Sequence, residues 1–164
     1  MKKVIVIGCP GSGKTTFAKK LNEITHLPLH HLDAIWHKPD KTHVPRKNFD
    51  ERLGEFLLKD EWIIDGNYQR TLETRLRACD TVFLFDLPVA LCLAGVEERI
   101  GKLRPDLPWV ETEWDPEFRR QIEGFADKEL PAIYALLEKH ADKMAIVFSS
   151  REQADEFLQN MTDK

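Results

Sequence analysis

The sequence has few cysteines, no long hydrophobic run and no surplus of basic charge. Its three cysteines, Cys9, Cys79 and Cys92, are far apart and form no C-x-x-C pair, so neither a disulfide framework nor a zinc knuckle is indicated. The apolar run at residues 4–7 is too short for a signal peptide, and no other run is long enough to cross a bilayer. We therefore expect a cytoplasmic protein without a membrane segment.

The charges are almost balanced, with 24 Lys and Arg residues against 28 Asp and Glu residues and a formal net charge of −4. Such a chain has no global basic field with which to hold duplex DNA or an anionic membrane. Arg99, Arg104, Arg119 and Arg120 form a candidate local patch, but glutamates interleave with them, which favours a solvated mixed-charge face. The composition therefore disfavours nucleic acid as a partner.

The 164 residues, 42% of them hydrophobic, are enough for one sizeable core, and we predict a single domain over residues 1–164. Short apolar runs alternate with longer amphipathic segments, which is typical of βαβ units. Strands are predicted at residues 4–7, 27–33, 61–65, 81–86 and 143–148. Helices are predicted from residue 14 to before Pro28, at 49–57, 89–99 and 151–158, and from 115 to 137 with a break at Pro131. These elements predict a three-layer α/β/α fold around a five-stranded parallel sheet.

The most specific motif is glycine-rich. Residues 8–15 are Gly-Cys-Pro-Gly-Ser-Gly-Lys-Thr and match G-x-x-x-x-G-K-[ST] at every specified position, between a predicted strand and a predicted helix. The glycines let backbone N–H groups turn toward phosphate oxygens, the lysine adds a positive charge there, and the threonine hydroxyl is a Mg²⁺ ligand. We therefore predict that a nucleotide binds to Gly8, Pro10, Gly11, Ser12, Gly13, Lys14, Thr15 and Thr16.

A magnesium ion at Thr15 needs a carboxylate nearby, and two predicted strands end in one, at Asp65 and at Asp86. In the strand order 2-3-1-4-5, which is common among kinases, the third strand lies beside the first. Asp65 is then expected to face the loop and to organise the metal together with Thr15. Asp86 is either a second carboxylate at this edge or the N-cap of the next helix.

Residues 101–114 show no clear period and are rich in proline, tryptophan and charge. A loop of this length in a compact domain is usually functional, so we predict a lid over residues 99–116, with an ordinary surface excursion as the alternative. Trp109 and Trp114 either close over substrate or pack against the helix that carries Phe118.

The whole chain resembles the adenylate-kinase-like P-loop kinases and, among them, the small bacterial topology modulation proteins of the FlaR type. Besides the glycine-rich loop, the residues that carry the resemblance are His31-Leu32-Asp33-Ala34-Ile35-Trp36, Trp62-Ile63-Ile64-Asp65-Gly66-Asn67-Tyr68, Arg75-Leu76-Arg77-Ala78-Cys79-Asp80, Phe85-Asp86-Leu87-Pro88 and Arg104-Pro105-Asp106-Leu107-Pro108. The resemblance implies a sheet of order 2-3-1-4-5, ATP on the loop and a short helical lid. It also implies an acceptor site at the ends of the second and third strands, with an insertion at residues 34–60.

Two positions differ from the pattern of adenylate kinases. Those enzymes carry Asp-Gly-Phe-Pro-Arg after the third strand, with the arginine on the acceptor's phosphate, whereas here Arg70 comes one residue later. Gly95 stands where they generally have an arginine, and Arg99 matches the arginine that packs on adenine. The resemblance therefore implies that Arg99, Lys102 and Arg104 supply the lid charge, with Arg99 and Arg104 acting in catalysis beside Lys14.

The acceptor side of the predicted cleft carries one carboxylate, two aromatic rings, an amide and two arginines, namely Asp33, Trp36, Tyr68, Asn67, Arg70 and Arg75. Asp33, at the end of the second predicted strand, is expected either to orient or deprotonate an acceptor hydroxyl or to cap a helix or turn. Trp36 either stacks on a base or sugar ring or covers the edge of the core. This set suits a hydroxylated, flat or ring-shaped acceptor, such as a nucleoside or a sugar-like metabolite.

Five of the six histidines lie between residues 26 and 43, but their spacing does not fit a metal site. His26 and His30 straddle Pro28 and so cannot share a helix face, while His30 and His31 are expected on opposite sides of a strand. We expect no structural metal there.

The cofactors implied by the motifs are ATP and Mg²⁺, and the partner is a small-molecule phosphoryl acceptor. We expect Mg²⁺-dependent transfer of the γ-phosphoryl of ATP to a nucleoside, a nucleotide or a similar small metabolite. The alternatives are an ATP-binding regulatory protein that modulates DNA topology and a plain ATPase.

Overall fold

Five parallel strands form the centre of the molecule. In the computed structural model, which describes residues 1–164, the strands lie in the order β2-β3-β1-β4-β5, and each pairs in parallel with its neighbours. The strands are β1 (Lys3–Gly8), β2 (Leu29–His31), β3 (Trp62–Asp65), β4 (Thr81–Phe85) and β5 (Met144–Phe148). The predicted five-stranded parallel sheet and its order are therefore confirmed.

Helices cover this sheet. They are α1 (Lys14–Thr25), α2 (Leu32–Trp36), α3 (Arg46–Leu57), α4 (Gln69–Ala78), α5 (Val89–Arg99), α6 (Pro116–Glu123), α7 (Phe125–Lys128), α8 (Leu130–Lys139) and α9 (Arg151–Thr162). Every residue of β3 and β4 is buried, as expected for the central strands of a sheet covered on both faces. A single core of 32 buried apolar residues lies around these strands. No helix is long and apolar enough to cross a membrane.

The register of the sheet places the functional segments at one edge. β1 ends at Gly8, which pairs with Phe85, and Asp65 at the end of β3 pairs with Val6. The carboxyl ends of parallel strands are where open α/β folds bind ligands. The glycine-rich loop and Asp65 therefore lie side by side at this edge.

Several helix ends follow local chemistry. α1 begins after Gly13, whose φ is 102°, and ends before Pro28, as predicted. α6 begins after Asp115, whose side chain accepts a hydrogen bond from the Glu117 N–H at 2.9 Å. Pro131 lies at the predicted break, since α7 ends at Lys128 and α8 begins at Leu130. It lies in the first turn of α8, where the N–H that proline lacks would have no intrahelical partner.

Two predictions of local structure were wrong, and one helix was missed. β2 ends at His31, and Asp33 lies in the first turn of α2, where its carboxylate faces the positive end of the helix dipole. α4 was not predicted, because its buried face includes the polar Thr71 and Arg75. Residues 100–115 form turns and bends without the expected short helix, since Pro105 and Pro108 interrupt helical hydrogen bonding.

Candidate active site

The glycine-rich loop, residues 8–15, has a backbone conformation that residues with side chains rarely adopt. Gly8, Gly11 and Gly13 have φ values of 148°, 81° and 102°, in a region that L side chains rarely adopt. A Cβ on Gly8 would overlap Phe85, and one on Gly11 would overlap the carbonyl oxygen of Cys92 in α5. Close packing of the backbone therefore fixes the shape of the loop.

Two side chains from distant parts of the chain hold the loop. Asn67 accepts a hydrogen bond from the Gly8 N–H at 2.9 Å and donates one to the Gly8 carbonyl oxygen. Arg151, the first residue of α9, donates to the carbonyl oxygens of Gly11 at 2.9 Å and Ser12 at 3.3 Å. The sequence places Asn67 in the acceptor site, but both ends of its amide are bonded to the loop. Its role in this structure is to tie β3 to the start of the loop.

Gly95, in α5, packs directly against the loop. A Cβ at this position would overlap the Gly11 carbonyl oxygen and lie 2.9 Å from Nη2 of Arg151. The position has no room for the arginine that adenylate kinases generally carry there, and the cation beside it is Arg151. Sequence reasoning missed Arg151, because it is 139 residues from Ser12 and no local motif marks it.

A polar cavity of about 370 Å³ opens beside the loop, and none of its 14 lining residues is hydrophobic. The lining residues are Gly11, Gly13, Lys14, Thr15, Thr16, Lys19, Gly95, Glu98, Arg99, Lys102, Arg104, Pro105, Asp106 and Arg151. Six of these are basic and two are acidic, which suits a polyanion such as the phosphate chain of a nucleotide. The structure thus brings Lys14 of the loop and Arg99 and Arg104 of the predicted lid to one cavity.

Three residues of the predicted nucleotide-binding set do not line this cavity. The amide of Gly8 is bonded to Asn67. Ser12 is fully buried, and its Oγ has no hydrogen-bond partner. Pro10 is half-buried. Gly8, Pro10 and Ser12 therefore belong to the loop without lining the cavity, whereas Gly11, Gly13 and Lys14 to Thr16 line it.

Thr15, which lines the cavity, meets Asp65 and His31. Thr15 Oγ1 donates a hydrogen bond to Asp65 Oδ2 at 2.8 Å, and His31 Nδ1 lies 2.8 Å from the same oxygen. Asp65 is 4% exposed, and its Oδ1 is buried without a partner. Hydroxyl and carboxylate oxygens are the ligands that Mg²⁺ prefers, and the ion usually keeps several waters. The unpartnered oxygen therefore fits the acceptance of a hydrogen bond from a metal-bound water.

Other candidate metal ligands are used elsewhere or do not converge. Asp86 accepts a hydrogen bond from the Tyr134 hydroxyl at 2.6 Å, and the N-cap of α5 is Pro88, so of the two alternatives for Asp86 the N-cap does not hold. No group of three or more His, Cys, Asp and Glu side chains is arranged to hold a metal by itself. A Mg²⁺ ion in a nucleotide site does not need such a group, because phosphate oxygens and waters complete its coordination.

The two lid arginines lie beside carboxylates. Arg104 pairs with Asp106 at 2.6 Å and with Glu111, and Arg99 Nε lies 3.7 Å from Glu111. Burial lowers the pKa of Arg99. Burial also acts to lower the pKa of Arg104, but the hydrogen bond and the charge of Asp106 raise it overall. The Arg99 guanidinium also lies 5.8 Å from the centre of the Phe118 ring. Arg104 therefore has hydrogen-bonded partners within the lid, whereas Arg99 faces the charge of Glu111 and its Nε is buried without a hydrogen-bond partner.

Asp33 and Tyr68 form the acceptor side. The Tyr68 hydroxyl donates to Asp33 Oδ1 at 2.6 Å. Burial and the charge of Asp33 raise the pKa of Tyr68, so the phenol keeps its proton and remains a donor. Tyr68 has a φ of 38°, and a non-glycine residue in this region stores roughly 1–3 kcal/mol of strain. Such strain persists only where the surrounding structure imposes it.

Trp36 belongs to an aromatic cluster beside this pair. The His43 ring stacks on it with centroids 4.1 Å apart and an interplanar angle of 6°. Phe49 and Tyr68 meet it edge to face at 5.6 and 6.2 Å. One face of the indole is therefore covered by the protein, which limits the stacking surface predicted for a substrate ring.

The two arginines predicted for the acceptor site are engaged by the protein. Arg70 pairs in a bidentate manner with Asp50 of α3, at 3.0 and 2.8 Å. Arg75 is fully buried and donates to the carbonyl oxygens of Gly66 at 2.8 Å, of Asn67, and of Tyr68 at 3.1 Å. Arg75 therefore holds residues 66–68 in place, including the strained backbone of Tyr68, and cannot reach an acceptor.

The predicted lid contacts the acceptor region through Trp109. Its ring lies 5.1 Å from that of His37, edge to face. Burial lowers the pKa of His37, and the nearby Asp33 carboxylate opposes this effect. Trp114 instead lies against Arg119 of α6, with the guanidinium 5.2 Å from its ring centre. Of the two tryptophans, Trp109 is the one at the acceptor side.

The fold has counterparts among solved bacterial kinases. A sugar kinase from Janibacter sp. superposes with a TM-score of 0.57 at 17% sequence identity, over 99% of this chain and 95% of that chain. A gluconokinase from Sinorhizobium meliloti superposes with a TM-score of 0.56 at 13% identity, over 99% of this chain and 92% of that chain. No protein-family profile and no curated protein sequence matches the chain. At these identities the likeness shows a shared fold.

Proposed function

We propose that this protein is a small-molecule kinase that transfers the γ-phosphoryl group of ATP, with Mg²⁺, to an acceptor bound beside Asp33. The observation that carries the proposal is the polar cavity, in which the glycine-rich loop, Lys14 and the lid arginines converge. The likeness in fold to a sugar kinase and a gluconokinase supports it. The FlaR-type and adenylate-kinase-like resemblance is part of the proposal and rests on sequence motifs alone.

The loop end of the cleft would hold the nucleotide. The backbone amides of the loop and the N-terminus of α1 offer hydrogen bonds and positive potential to phosphate oxygens. Lys14 adds a point charge toward the β- and γ-phosphates. Thr15 and Asp65 would hold Mg²⁺, which neutralises charge on the phosphate oxygens when it is bound.

The acceptor end would position the nucleophile. An acceptor hydroxyl attacks the γ-phosphorus, a new O–P bond forms, and the bond to the β-phosphate bridging oxygen breaks so that ADP leaves. Asp33 is placed to orient this hydroxyl or to take its proton. Oδ1 of Asp33 already accepts from Tyr68, so its Oδ2 is the oxygen that faces the acceptor in this proposal.

The lid would exclude water. Residues 99–116 carry Arg99 and Arg104 into the cavity and place Trp109 against His37 at the acceptor side. A segment that touches both ends of the cleft can close over both substrates, which favours transfer over hydrolysis.

The test is a transfer assay with ATP labelled at the γ-phosphate, run over nucleosides, nucleotides and small hydroxylated metabolites. We expect label to move to at least one acceptor in a Mg²⁺-dependent reaction. Release of labelled phosphate that no acceptor redirects would instead show a plain ATPase. Tight duplex DNA binding with a steep salt dependence and no transfer would favour the DNA-acting alternative.

A further inference from the structure

We infer that the acceptor carries no anionic group at its binding site and is an uncharged hydroxyl compound of the nucleoside or polyol class. This inference rests on the proposed function and narrows it, because phosphorylated and carboxylated acceptors are then excluded. It follows from what the cations and carboxylates on the acceptor side are already bonded to.

The arginines nearest the acceptor in sequence are not free to bind an anion. Both terminal nitrogens of Arg70 are bonded to Asp50. Arg75 is fully buried, and its terminal nitrogens donate hydrogen bonds to backbone carbonyls. An acceptor phosphate or carboxylate would have to break the bidentate Arg70–Asp50 pair, and such a pair has the preferred geometry of arginine with a carboxylate.

The lid, residues 99–116, carries two arginines and four carboxylates. Arg104 lies between Asp106 and Glu111, and Arg99 lies beside Glu111. Asp106 is 3% exposed and lines the cavity together with Arg104. Each lid arginine therefore lies beside a carboxylate of the lid, although Arg99 Nε has no hydrogen-bond partner. The other cations of the cavity are Lys14, Lys19, Lys102 and Arg151. Lys14 and Lys19 belong to α1, beside the glycine-rich loop, and Arg151 is bonded to carbonyl oxygens of that loop.

The charge that remains at the acceptor side is negative. Asp33 accepts one hydrogen bond from the neutral Tyr68 hydroxyl and has no ion-pair partner within 4 Å. Arg99 and Arg104 are close enough to Asp33 to feel its charge, but Asp106 and Glu111 already face the same two arginines. An anionic group beside Asp33 would therefore add a fourth negative charge to two positive ones and meet net repulsion. A hydroxyl group, by contrast, can donate to the carboxylate and accept from a neighbouring donor.

The neutral groups around Asp33 favour a hydroxylated and partly apolar molecule. Tyr68 supplies a phenol, His37 an imidazole whose pKa burial lowers, and Trp109 of the lid an indole against that imidazole. Aromatic faces bind the apolar faces of sugar and base rings, while the polar groups read hydroxyls. Specificity here would come from hydroxyl recognition and ring shape.

The inference is tested by matched acceptors that differ in one charged group. The first pair is adenosine and its 5′-monophosphate, and the second pair is glucitol and gluconate. In addition, a bacterial metabolite extract is separated by anion exchange into a neutral fraction and a retained, anionic fraction. Wild-type protein, Mg²⁺ and γ-labelled ATP are used throughout. We expect the neutral fraction to receive label, and any neutral compound used to exceed its anionic counterpart in kcat/KM by about 10-fold or more.

Each possible result supports or overturns the inference. Transfer carried mainly by the retained fraction, or by gluconate or the monophosphate over its neutral counterpart, would overturn the inference and leave the kinase proposal standing. Phosphate release with no transfer to either fraction would overturn the kinase proposal, and the inference with it. Transfer to the neutral fraction alone would support both.

Discussion

The two ends of the cleft are held together by different kinds of contact. At the loop end, glycine backbone packs against α5, and Asn67 and Arg151 bond to main-chain atoms of Gly8 and Gly11. At the acceptor and lid end, side chains bond to side chains, as in Tyr68 with Asp33 and Arg104 with Asp106. Main-chain contacts preserve a shape whatever the substrate, whereas side-chain pairs can change with it.

This difference matches the tasks proposed for the two ends. A phosphate chain is the same in every ATP-dependent kinase, so a fixed backbone cradle suffices for it. An acceptor has to be selected from many metabolites, so its end depends on the charge and reach of individual side chains. We therefore expect substitutions at the loop end to act on stability and ATP binding, and those at the acceptor end to act on transfer and choice of acceptor.

The largest effect is expected where the two ends join. Arg75→Met removes a fully buried cation and leaves the carbonyls of Gly66 and Asn67 without donors, while the Tyr68 carbonyl keeps its hydrogen bonds from Thr71. We expect a loss of roughly 3–5 kcal/mol in the free energy of unfolding, measured by urea denaturation.

The matched control is Arg77→Met in the same helix. Arg77 is exposed and pairs only with Glu73 at 3.4 Å, so we expect a change of less than about 1 kcal/mol. Equal losses in the two variants would contradict the structural role given to Arg75.

The second prediction tests the backbone cradle. Gly95→Ala places a methyl group against the Gly11 carbonyl oxygen, and we expect it to cost about 1–3 kcal/mol and to weaken ATP binding about tenfold. Gly54→Ala in α3 is the control, since nothing lies within 4 Å of the added methyl and alanine is favoured in helices by roughly 0.5–1 kcal/mol. Calorimetric ATP titration and thermal unfolding would measure both effects. Normal ATP affinity in Gly95→Ala would argue against the close contact.

Local and long-range contacts also differ in how well they could be predicted from the sequence. The loop follows from eight consecutive residues, and the five parallel strands follow from the alternation of apolar and amphipathic segments, since local patterns determine both. The strand order, by contrast, came from the resemblance to kinases. The parts that were missed depend on contacts between distant residues. Arg151 reaches the loop from α9, and Arg75 is buried although arginine is usually exposed.

The candidate site was predictable in its residue types and less so in their roles. Thr15 and Asp65 lie together as the strand order implied. Asn67, Arg70 and Arg75 lie where the motif places them, but Gly8, Asp50 and backbone carbonyls occupy their polar groups. Sequence spacing shows which residues come near one another, and only the fold shows which partners they take.

The third prediction concerns the pH dependence of the lid. Burial alone would raise the pKa of Asp106, but the hydrogen bond and charge of Arg104 lower it overall. A carboxyl with a depressed pKa stabilises the fold above its unfolded pKa, near 3.9, and loses this contribution as the pH falls through the folded value. Asp106→Asn should therefore cost about 1–2 kcal/mol at neutral pH and progressively less in acid. A difference from wild type that does not shrink by pH 3 would contradict the Arg104–Asp106 pair.

The smallest effect is expected at the exposed pair of the acceptor side. Asp50→Asn removes the partner of Arg70, and both side chains are 46% exposed. We expect less than about 1 kcal/mol of destabilisation, measured by urea denaturation in low salt, with Glu51→Gln on the same helix as control. A loss as large as that of Arg75→Met would show that this end is built as rigidly as the loop end.

The central claim is that ATP is bound and activated at the glycine-rich loop. The most direct measurement compares Mg²⁺-dependent ATP binding and γ-phosphoryl release or transfer in Lys14→Ala with the same quantities in Lys20→Ala. Lys20 lies in the same helix but is paired with Asp155 outside the cavity. We predict that Lys14→Ala lowers turnover by roughly 100-fold or more and that Lys20→Ala leaves it unchanged. Unchanged ATP affinity and turnover in Lys14→Ala would contradict the account.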